Sequence, residues 1–194
     1  MGNRRLKRIC DFLIGLFGLI ILIPIFAVIS VAVLIDDGSP VLFRQDRVGK
    51  DNKIFKIYKF RTMKKGTGDF ATGELKDADK KITPLGRFLR KTSLDELPQL
   101  LNLINGTMSL VGPRPLIPSE TEIRKLREEY GVYKVLPGIT GWAQVNGRDK
   151  VSAERKAQLD KEYVDNRSLA FDIKIIFMTV KQVIKREGIN DGEA

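Results

Sequence analysis

Two adjacent carboxylates, Asp95 and Glu96, and an arginine between two prolines, Arg114, are the residues whose types and spacing could do chemistry. Ser93 followed by Glu96 is a capping-box pattern, which predicts that both acids lie in the first turn of a helix. Exposed N–H groups and the positive end of the helix dipole would keep Asp95 ionised and would attract phosphate. An aspartate so placed could act as a nucleophile or as a Mg²⁺ ligand. Pro98 removes one helical hydrogen bond, so a kink or a later helix start is expected there.

The same pattern also suits acids that only stabilise a helix terminus, since capping boxes are common. The neighbouring basic residues Arg87, Arg90 and Lys91 favour a reactive centre instead. Arg114 has a backbone that its flanking prolines restrict, so its guanidinium would bind phosphate at a low entropic cost. The segment therefore predicts an acidic reactive centre that faces a phosphate-binding arginine.

The composition narrows the chemistry further. The 194 residues contain 34 Lys plus Arg and 24 Asp plus Glu, a net charge of +10, which favours anionic partners such as nucleic acid, anionic lipid or phosphorylated substrates. The chain has no histidine, which excludes a Ser-His-Asp triad, a histidine base and a histidine-ligated zinc site. Cys10 is the single cysteine and cannot form an intramolecular disulfide.

A membrane element is predicted in residues 1–36, where a basic flank precedes an almost wholly apolar run from Ile9 to Ile35. A straight helix of that length, about 40 Å, could cross a bilayer core of about 30 Å. Pro24 divides the run into two arms that are each too short to cross, and both flanks are basic. We therefore expect a re-entrant helix that is bent at Pro24 and enters and leaves by one face.

Residues 37–194 are expected to form one catalytic domain on the membrane surface, of the α+β class and mostly helical. Strands at 41–43 and 48–55, with residues up to Phe60 available to extend the second, would form a short β-hairpin about a Gly/Asp/Asn turn. Alternation then places Lys59 and Arg61 on one face, as a phosphate-facing edge or as a solvated strand. Helices are expected from Thr83, after Ser119, at 151–166 and at 169–186; the last is basic and amphipathic, which is typical of an interfacial helix.

Two further stretches leave alternatives open. Asp77 and Asp79 form an Asp-x-Asp pair that could share a divalent ion, although such a triplet also arises by chance in a charged loop. The glycine-rich residues 137–148 predict an irregular loop, in which Trp142, Gln144 and Arg148 could contact a nucleotide. Trp142 could equally rest at the membrane interface, where indoles concentrate.

Five motifs together resemble the bacterial sugar transferases, in their small, monotopic polyprenol-phosphate phosphoglycosyltransferase form. They are Lys59-Phe-Arg-Thr-Met, Thr83-Pro-Leu-Gly-Arg, Ser93-Leu-Asp-Glu-Leu-Pro-Gln, Met108-Ser-Leu-Val-Gly-Pro-Arg-Pro and Pro137-Gly-Ile-Thr-Gly-Trp-Ala-Gln-Val-Asn-Gly-Arg. The match runs from the basic N-terminus to about Glu187 with the motifs in the family's order. In the family a Ser-Pro pair breaks the membrane helix, whereas this chain has Ile23 before Pro24.

The resemblance implies transfer of a sugar-1-phosphate from a UDP-sugar to polyprenol (undecaprenyl) phosphate, with Mg²⁺ as cofactor. Asp95 would be the nucleophile and metal ligand, and Glu96 would assist it. The substrate phosphates would meet Arg90 and Arg114, and more weakly Lys59 and Arg61; the nucleotide would meet Gln144 and Arg148. The expected location is the cytoplasmic face of the bacterial inner membrane, against anionic lipid.

Two other functions remain open on the sequence. A metal-dependent glycosyltransferase would use Asp77 and Asp79 and release UDP. A membrane-anchored basic module would bind nucleic acid or recruit partners, but aromatic residues are not interleaved with the basic ones as a base-stacking surface requires, so no nucleic acid is expected. The sequence does not specify the oligomeric state or the sugar.

Overall fold

The computed structural model describes residues 4–67, 78–147 and 151–185, apart from the side chains of residues 4, 78, 79 and 184. It confirms the predicted α+β class: helices dominate, one β-hairpin is present, and a long apolar helix stands at the N-terminus. The elements are α1 Arg4–Asp37, β1 Leu42–Val48, β2 Ile54–Phe60, α2 Ala78–Lys81, α3 Pro84–Lys91, a 3₁₀-helix Leu94–Gln99, α4 Leu100–Asn105, β3 Ser109–Val111, α5 Thr121–Glu129, β4 Gly138–Thr140, α6 Trp142–Val145, α7 Ala153–Asn166 and α8 Leu169–Lys185, with 3₁₀ turns at Lys50–Asn52 and Val132–Lys134.

Helix α1 is continuous through Pro24, and the predicted re-entrant path stays a prediction. Within the described ranges, α1 is the one helix whose length and composition would allow it to cross a membrane. It packs mainly against α4, where Gly15 allows a close approach: an added Cβ would lie 3.0 Å from the Cβ of Leu103. The division between residues 36 and 37 also stays a prediction, and α1 itself ends at Asp37.

The two ends of α1 both contact the rest of the molecule. Near its start, Arg8 donates to the carbonyls of Leu103 and Ile104 at the end of α4, where a cation offsets the helix dipole. Near its end, Ile29 and Val33 share a buried apolar cluster with Phe60 of β2 and with Leu89 of α3. Part of the hydrophobic core is therefore built from the apolar N-terminal helix.

The β-hairpin pairs β1 and β2 antiparallel, with Leu42 opposite Phe60 and Val48 opposite Ile54. Its turn contains Asp51 and Asn52, both with positive φ, as the Gly/Asp/Asn pattern predicts. Thr83 caps α3 by accepting from the Gly86 N–H at 2.9 Å, which confirms the predicted helix start. The hairpin carries Lys59, and α3 carries Arg90, toward Asp95 and Glu96, which we call the dyad.

The prediction of an irregular loop over residues 137–148 is wrong for most of its length, because β4 and α6 lie within it. Strand β4 pairs parallel with β3, with Ser109 opposite Gly138. The glycines permit contact between backbones: a Cβ added to Gly138 would lie 2.1 Å from the Gly112 nitrogen, and one on Gly141 would lie 2.1 Å from the Gly112 oxygen. The high density of glycines in this segment therefore reflects the close packing of backbones more than turns.

Large apolar side chains remain exposed on α1, α3 and α8. Phe88 of α3 is 56% exposed, and α8 exposes a stripe at helical spacing, as its amphipathic pattern predicts. A surface of this kind on a globular domain indicates contact with lipid or with another apolar surface. Its members on α1 and α8 are Leu6, Ile9, Phe12, Leu13, Ile14, Phe17, Ile20, Ile21, Ile23, Ile25, Val28, Val31, Leu34, Ile35, Leu169, Ile173, Phe177, Val180 and Val183.

Candidate active site

The segment that carries the dyad begins with a left-handed residue. Ser93 has φ 56° and ψ 16°, and its hydroxyl makes no capping bond, so the predicted capping box is wrong. The dyad lies in a 3₁₀-helix, Leu94–Gln99, which contains Pro98 and leads into α4. A non-glycine residue with positive φ is a strained conformation that tends to occur at functional sites. The backbone therefore turns sharply just before Asp95.

Asp95 is a buried carboxylate. Its side chain belongs to a residue that is only 8% exposed, and burial raises its pKa from 3.8 to about 6. The positive charges of Lys59 and Arg90 act in the opposite direction, and the charge of Glu96 raises the pKa further. Asp95 is thus ionised at neutral pH, but at a free-energy cost that a nearby cation would relieve.

Lys59 meets the dyad from strand β2. Its Nζ lies 2.6 Å from the Glu96 Oε1, and both side chains are mostly shielded from water. The contact forms because β2 packs against the 3₁₀-helix. Glu96 therefore orients Lys59, and Lys59 contributes positive charge beside Asp95.

Arg90 reaches the dyad from the last turn of α3. Its Nε donates to the Thr62 Oγ1 at 2.9 Å, which fixes the direction of the guanidinium. Helix α3 approaches closely because Gly86 lacks a side chain: a Cβ there would lie 2.1 Å from the Thr62 carbonyl oxygen. The glycine of the Thr-Pro-Leu-Gly-Arg motif thus serves the placement of Arg90.

A cleft beside the dyad gathers several predicted residues. Lys59, Glu96 and Arg114 line it, together with Arg47 of β1 and the buried Gln99. Its wall therefore presents three cationic side chains beside one carboxylate, which suits a diphosphate.

The predictions from sequence did not include Arg47 and Gln99. In β1 the polar Gln45 and Arg47 point inward, whereas Arg44 and Asp46 are exposed. Two polar residues on the inward face of a short strand are a pattern that could have identified Arg47.

Arg61 does not line this cleft. Its guanidinium donates to the carbonyls of Asp37 and Gly38 and pairs with the Asp37 carboxylate at 3.3 Å. These contacts tie the end of α1 to the residue after β2. The structure therefore places Arg61 at the end of the apolar helix and outside the cleft that Lys59 and Arg114 line.

Two of the predicted nucleotide contacts, Trp142 and Gln144, lie on helix α6. Gln144 donates to the carbonyl of Ile139, which lines the cleft, and its buried Oε1 has no hydrogen-bond partner among the described residues. Trp142 packs on Phe171 with ring centroids 4.9 Å apart and donates to Glu162. Its indole thus belongs to the packing of α6 on α7 and α8, while Arg148 lies outside the described residues.

The carboxylates that could hold a metal are few. Among the described residues no group of three or more Asp, Glu or Cys side chains comes together as a metal cluster. Asp77 and the side chain of Asp79 lie outside the described part of the chain. A divalent ion at Asp95 would take its other ligands from substrate phosphates and water, which is how Mg²⁺ commonly binds.

Over residues 2–186 the chain matches the profile of the family described as bacterial sugar transferase. The chain belongs to the bacterial sugar transferase family. It is 43% identical over 185 residues to the UDP-glucose:undecaprenyl-phosphate glucose-1-phosphate transferase of Escherichia coli K12, and 45% identical over 189 residues to the uncharacterized sugar transferase EpsL of Bacillus subtilis 168. It is also 39% identical over 204 residues to the undecaprenyl-phosphate galactose phosphotransferase of Salmonella typhimurium LT2.

These bacterial sugar transferases differ in length. The matches cover 92%, 95% and 96% of this chain, but 40%, 90% and 42% of the three relatives in the same order. The chain therefore spans about two fifths of the first and third relatives. The names of the first and third relatives specify different sugars, glucose and galactose.

Proposed function

We propose that this protein moves a sugar-1-phosphate from a UDP-sugar to membrane undecaprenyl phosphate, with release of UMP. The observation that carries the proposal is the buried Asp95 beside Lys59 and Arg90, next to a cleft that Arg47 and Arg114 make cationic. The names of the relatives supply the donor and acceptor classes. An anionic nucleophile can approach an anionic diphosphate only where positive charge offsets their repulsion.

The proposed reaction has two displacements at one phosphorus. The Asp95 carboxylate attacks the β-phosphorus of the UDP-sugar, the bond from that phosphorus to the bridging oxygen breaks, and UMP leaves with the oxygen. The sugar-phosphate is then held on Asp95 as an acyl phosphate. An oxygen of undecaprenyl phosphate attacks the same phosphorus, and the Asp95 carboxylate leaves to regenerate the enzyme. The sugar keeps its glycosidic bond throughout.

The charged neighbours have separate roles in this proposal. Arg114 and Arg90 bind phosphate oxygens, for which the planar guanidinium is suited. Lys59, oriented by Glu96 at 2.6 Å, stabilises the charge of the transferring phosphoryl group. Mg²⁺, when bound at Asp95, neutralises part of the charge on the carboxylate and on the diphosphate.

The placement of α1 supports a monotopic arrangement, which we propose to lie on the cytoplasmic face. Lys7 pairs with Asp172 of α8 at 2.6 Å near one end of α1, while Asp37 pairs with Arg61 at the other. Both ends thus contact the same domain. A re-entrant path requires this arrangement, whereas a path with its ends on opposite sides of a bilayer would not produce it. The exposed middle of α1 would lie in the apolar part of one leaflet.

The deciding experiment identifies the nucleotide that detergent-purified protein releases from UDP-glucose and UDP-galactose with Mg²⁺ and undecaprenyl phosphate. UMP is expected, together with a phosphosugar adduct that is absent in Asp95→Asn. Release of UDP would indicate cleavage of the glycosidic bond and would transfer the chemistry to Asp77 and Asp79. Full activity of Asp95→Asn would refute the role of Asp95 whichever nucleotide is released.

A further inference from the structure

The backbone of the segment Pro113–Leu116, which contains Arg114, is held through its carbonyl oxygens. Pro113 and Pro115 have no N–H group, so they cannot donate to a neighbouring element. Four consecutive carbonyls each accept a hydrogen bond from a different part of the fold. The donors to Pro113, Arg114, Pro115 and Leu116 are the Gly138 N–H at 2.9 Å, Arg127 Nη1 at 2.7 Å, Arg47 Nη1 at 3.1 Å and the Val48 N–H at 2.8 Å.

Two of these four donors are side chains, and Arg127 is the one that holds Arg114 itself. Arg127 projects from α5, is 3% exposed, and does not line the cleft that contains Lys59 and Glu96. It contacts the Arg114 carbonyl, and both residues line a second pocket. Arg127 therefore acts on the backbone of Arg114, away from the substrate.

Asp160 of α7 fixes the guanidinium of Arg127. One carboxylate oxygen, Oδ2, lies 2.9 Å from the Arg127 Nε and 2.5 Å from its Nη2, and Asp160 is 1% exposed. This leaves Nη1 directed at the Arg114 carbonyl, since a guanidinium is rigid and planar. A buried ion pair is weak as a source of stability, because desolvation offsets much of its attraction. Its presence at this place is better explained by the hydrogen bond that Nη1 donates to the Arg114 carbonyl.

We propose that Arg127, oriented by Asp160, is a positioning residue that fixes the backbone of Arg114 so that its guanidinium meets the substrate diphosphate. This inference rests on the proposed function, in which Arg114 binds phosphate. An error of about 1 Å in the placement of such a group can cost about a hundredfold in rate. The role differs from that of a substrate ligand, because Arg127 acts only through Arg114.

The test uses the full chain in detergent and the variant Arg127→Met/Asp160→Leu. Apolar residues of similar volume remove the ion pair without leaving one charge buried alone, and such replacements are often neutral for stability. We expect the thermal unfolding temperature to change little, while kcat/KM for UDP-glucose or UDP-galactose falls between about tenfold and a hundredfold. A change below twofold in the folded variant would overturn the proposal.

The decisive comparison repeats the substitution in an Arg114→Ala background. If Arg127 acts through Arg114, the Arg127→Met/Asp160→Leu substitution should not lower kcat/KM further in the Arg114→Ala background, because effects that share one route are not additive. An equal further loss would overturn the positioning role while leaving Arg114 as a phosphate ligand. Full activity of Arg114→Ala alone would instead refute the proposed function of Arg114 and, with it, this inference.

Two more variants keep the test independent of folding defects. Arg127→Lys retains a charge for Asp160 but cannot donate to the carboxylate and to the carbonyl with one rigid fork, so a smaller loss is expected that also disappears with Arg114→Ala. The control Lys161→Gln/Asp165→Asn removes an exposed ion pair from the same helix, α7. Its kcat/KM should match that of the unaltered protein. A loss in Arg127→Lys that persists with Arg114→Ala would contradict the proposal.

Discussion

Replacing the buried carboxylate Asp95 by its neutral isostere, Asp95→Asn, should make the protein more stable at neutral pH. Burial holds the pKa of Asp95 at about 6 against 3.8 for a solvated aspartate, so the folded state favours the neutral side chain. The favourable contribution of Asp95 to the free energy of unfolding is therefore complete below about pH 4, and it is lost as the pH rises through 6. At pH 8 the native protein bears the full cost of an ionised, buried Asp95, and the amide avoids it.

The size of the gain follows from the pKa. A shift from 3.8 to about 6 corresponds to about 3 kcal/mol at pH 8, since one pKa unit is worth about 1.4 kcal/mol. At pH 5 most of Asp95 is protonated in the folded state, and the gain falls to about half of that value. For a chain of this length, about 3 kcal/mol corresponds to a rise of about 6–12 °C in the unfolding temperature.

The assay is thermal unfolding in detergent with EDTA, followed by the fluorescence of Trp142, the single tryptophan, at pH 5 and pH 8. Asp46→Asn is the control, since this exposed carboxylate pairs with Lys56 on the protein surface and should change little. A lower unfolding temperature for Asp95→Asn, or a gain that is equal at both pH values, would refute the conclusion that ionised Asp95 destabilises the folded protein.

Three other outcomes are expected. The rate of the first chemical step should fall about tenfold per pH unit below pH 6, because Asp95 must be ionised to attack; a flat profile down to pH 4 would contradict this. Mg²⁺ added together with UDP-glucose should raise the unfolding temperature of the unaltered protein more than that of Asp95→Asn, and equal shifts would place the ion elsewhere. Arg61→Gln should lower the free energy of unfolding by about 2 kcal/mol with little change in KM for the UDP-sugar, whereas Arg114→Lys should raise KM without a similar loss of stability.

Local sequence patterns predicted the elements that depend on local chemistry. Thr83 and Pro84 define the start of α3 because a cap and a first-turn proline act within one turn. The turn at Asp51 and Asn52 follows from their tolerance of positive φ. The assignment of the adjacent carboxylates as a reactive pair stays a prediction, and burial raises the pKa of Asp95, whereas the expected helix dipole would have favoured its ionised form.

The sequence was less informative where the partner of a residue comes from elsewhere in the chain. Ser93 looked like a helix cap, but it adopts φ 56° and Glu96 turns to Lys59 instead. Alternation along β2 places Lys59 and Arg61 on one face but cannot show that α1 ends beside Arg61. The pattern of β1 could have shown that Arg47 points inward, but not that its guanidinium meets the Pro115 carbonyl.

The sharing of core residues by α1 has a consequence for how the chain must be produced. Ile29 and Val33 cover Phe60 and Leu89, which are 1% and 0% exposed, and these contacts exist only when the apolar helix is present. A version shortened to begin after α1 would present that apolar surface to water and would lose the partner of Arg61. We therefore expect a chain without α1 to fold poorly, so that simply removing the N-terminal helix would not yield a soluble, folded protein.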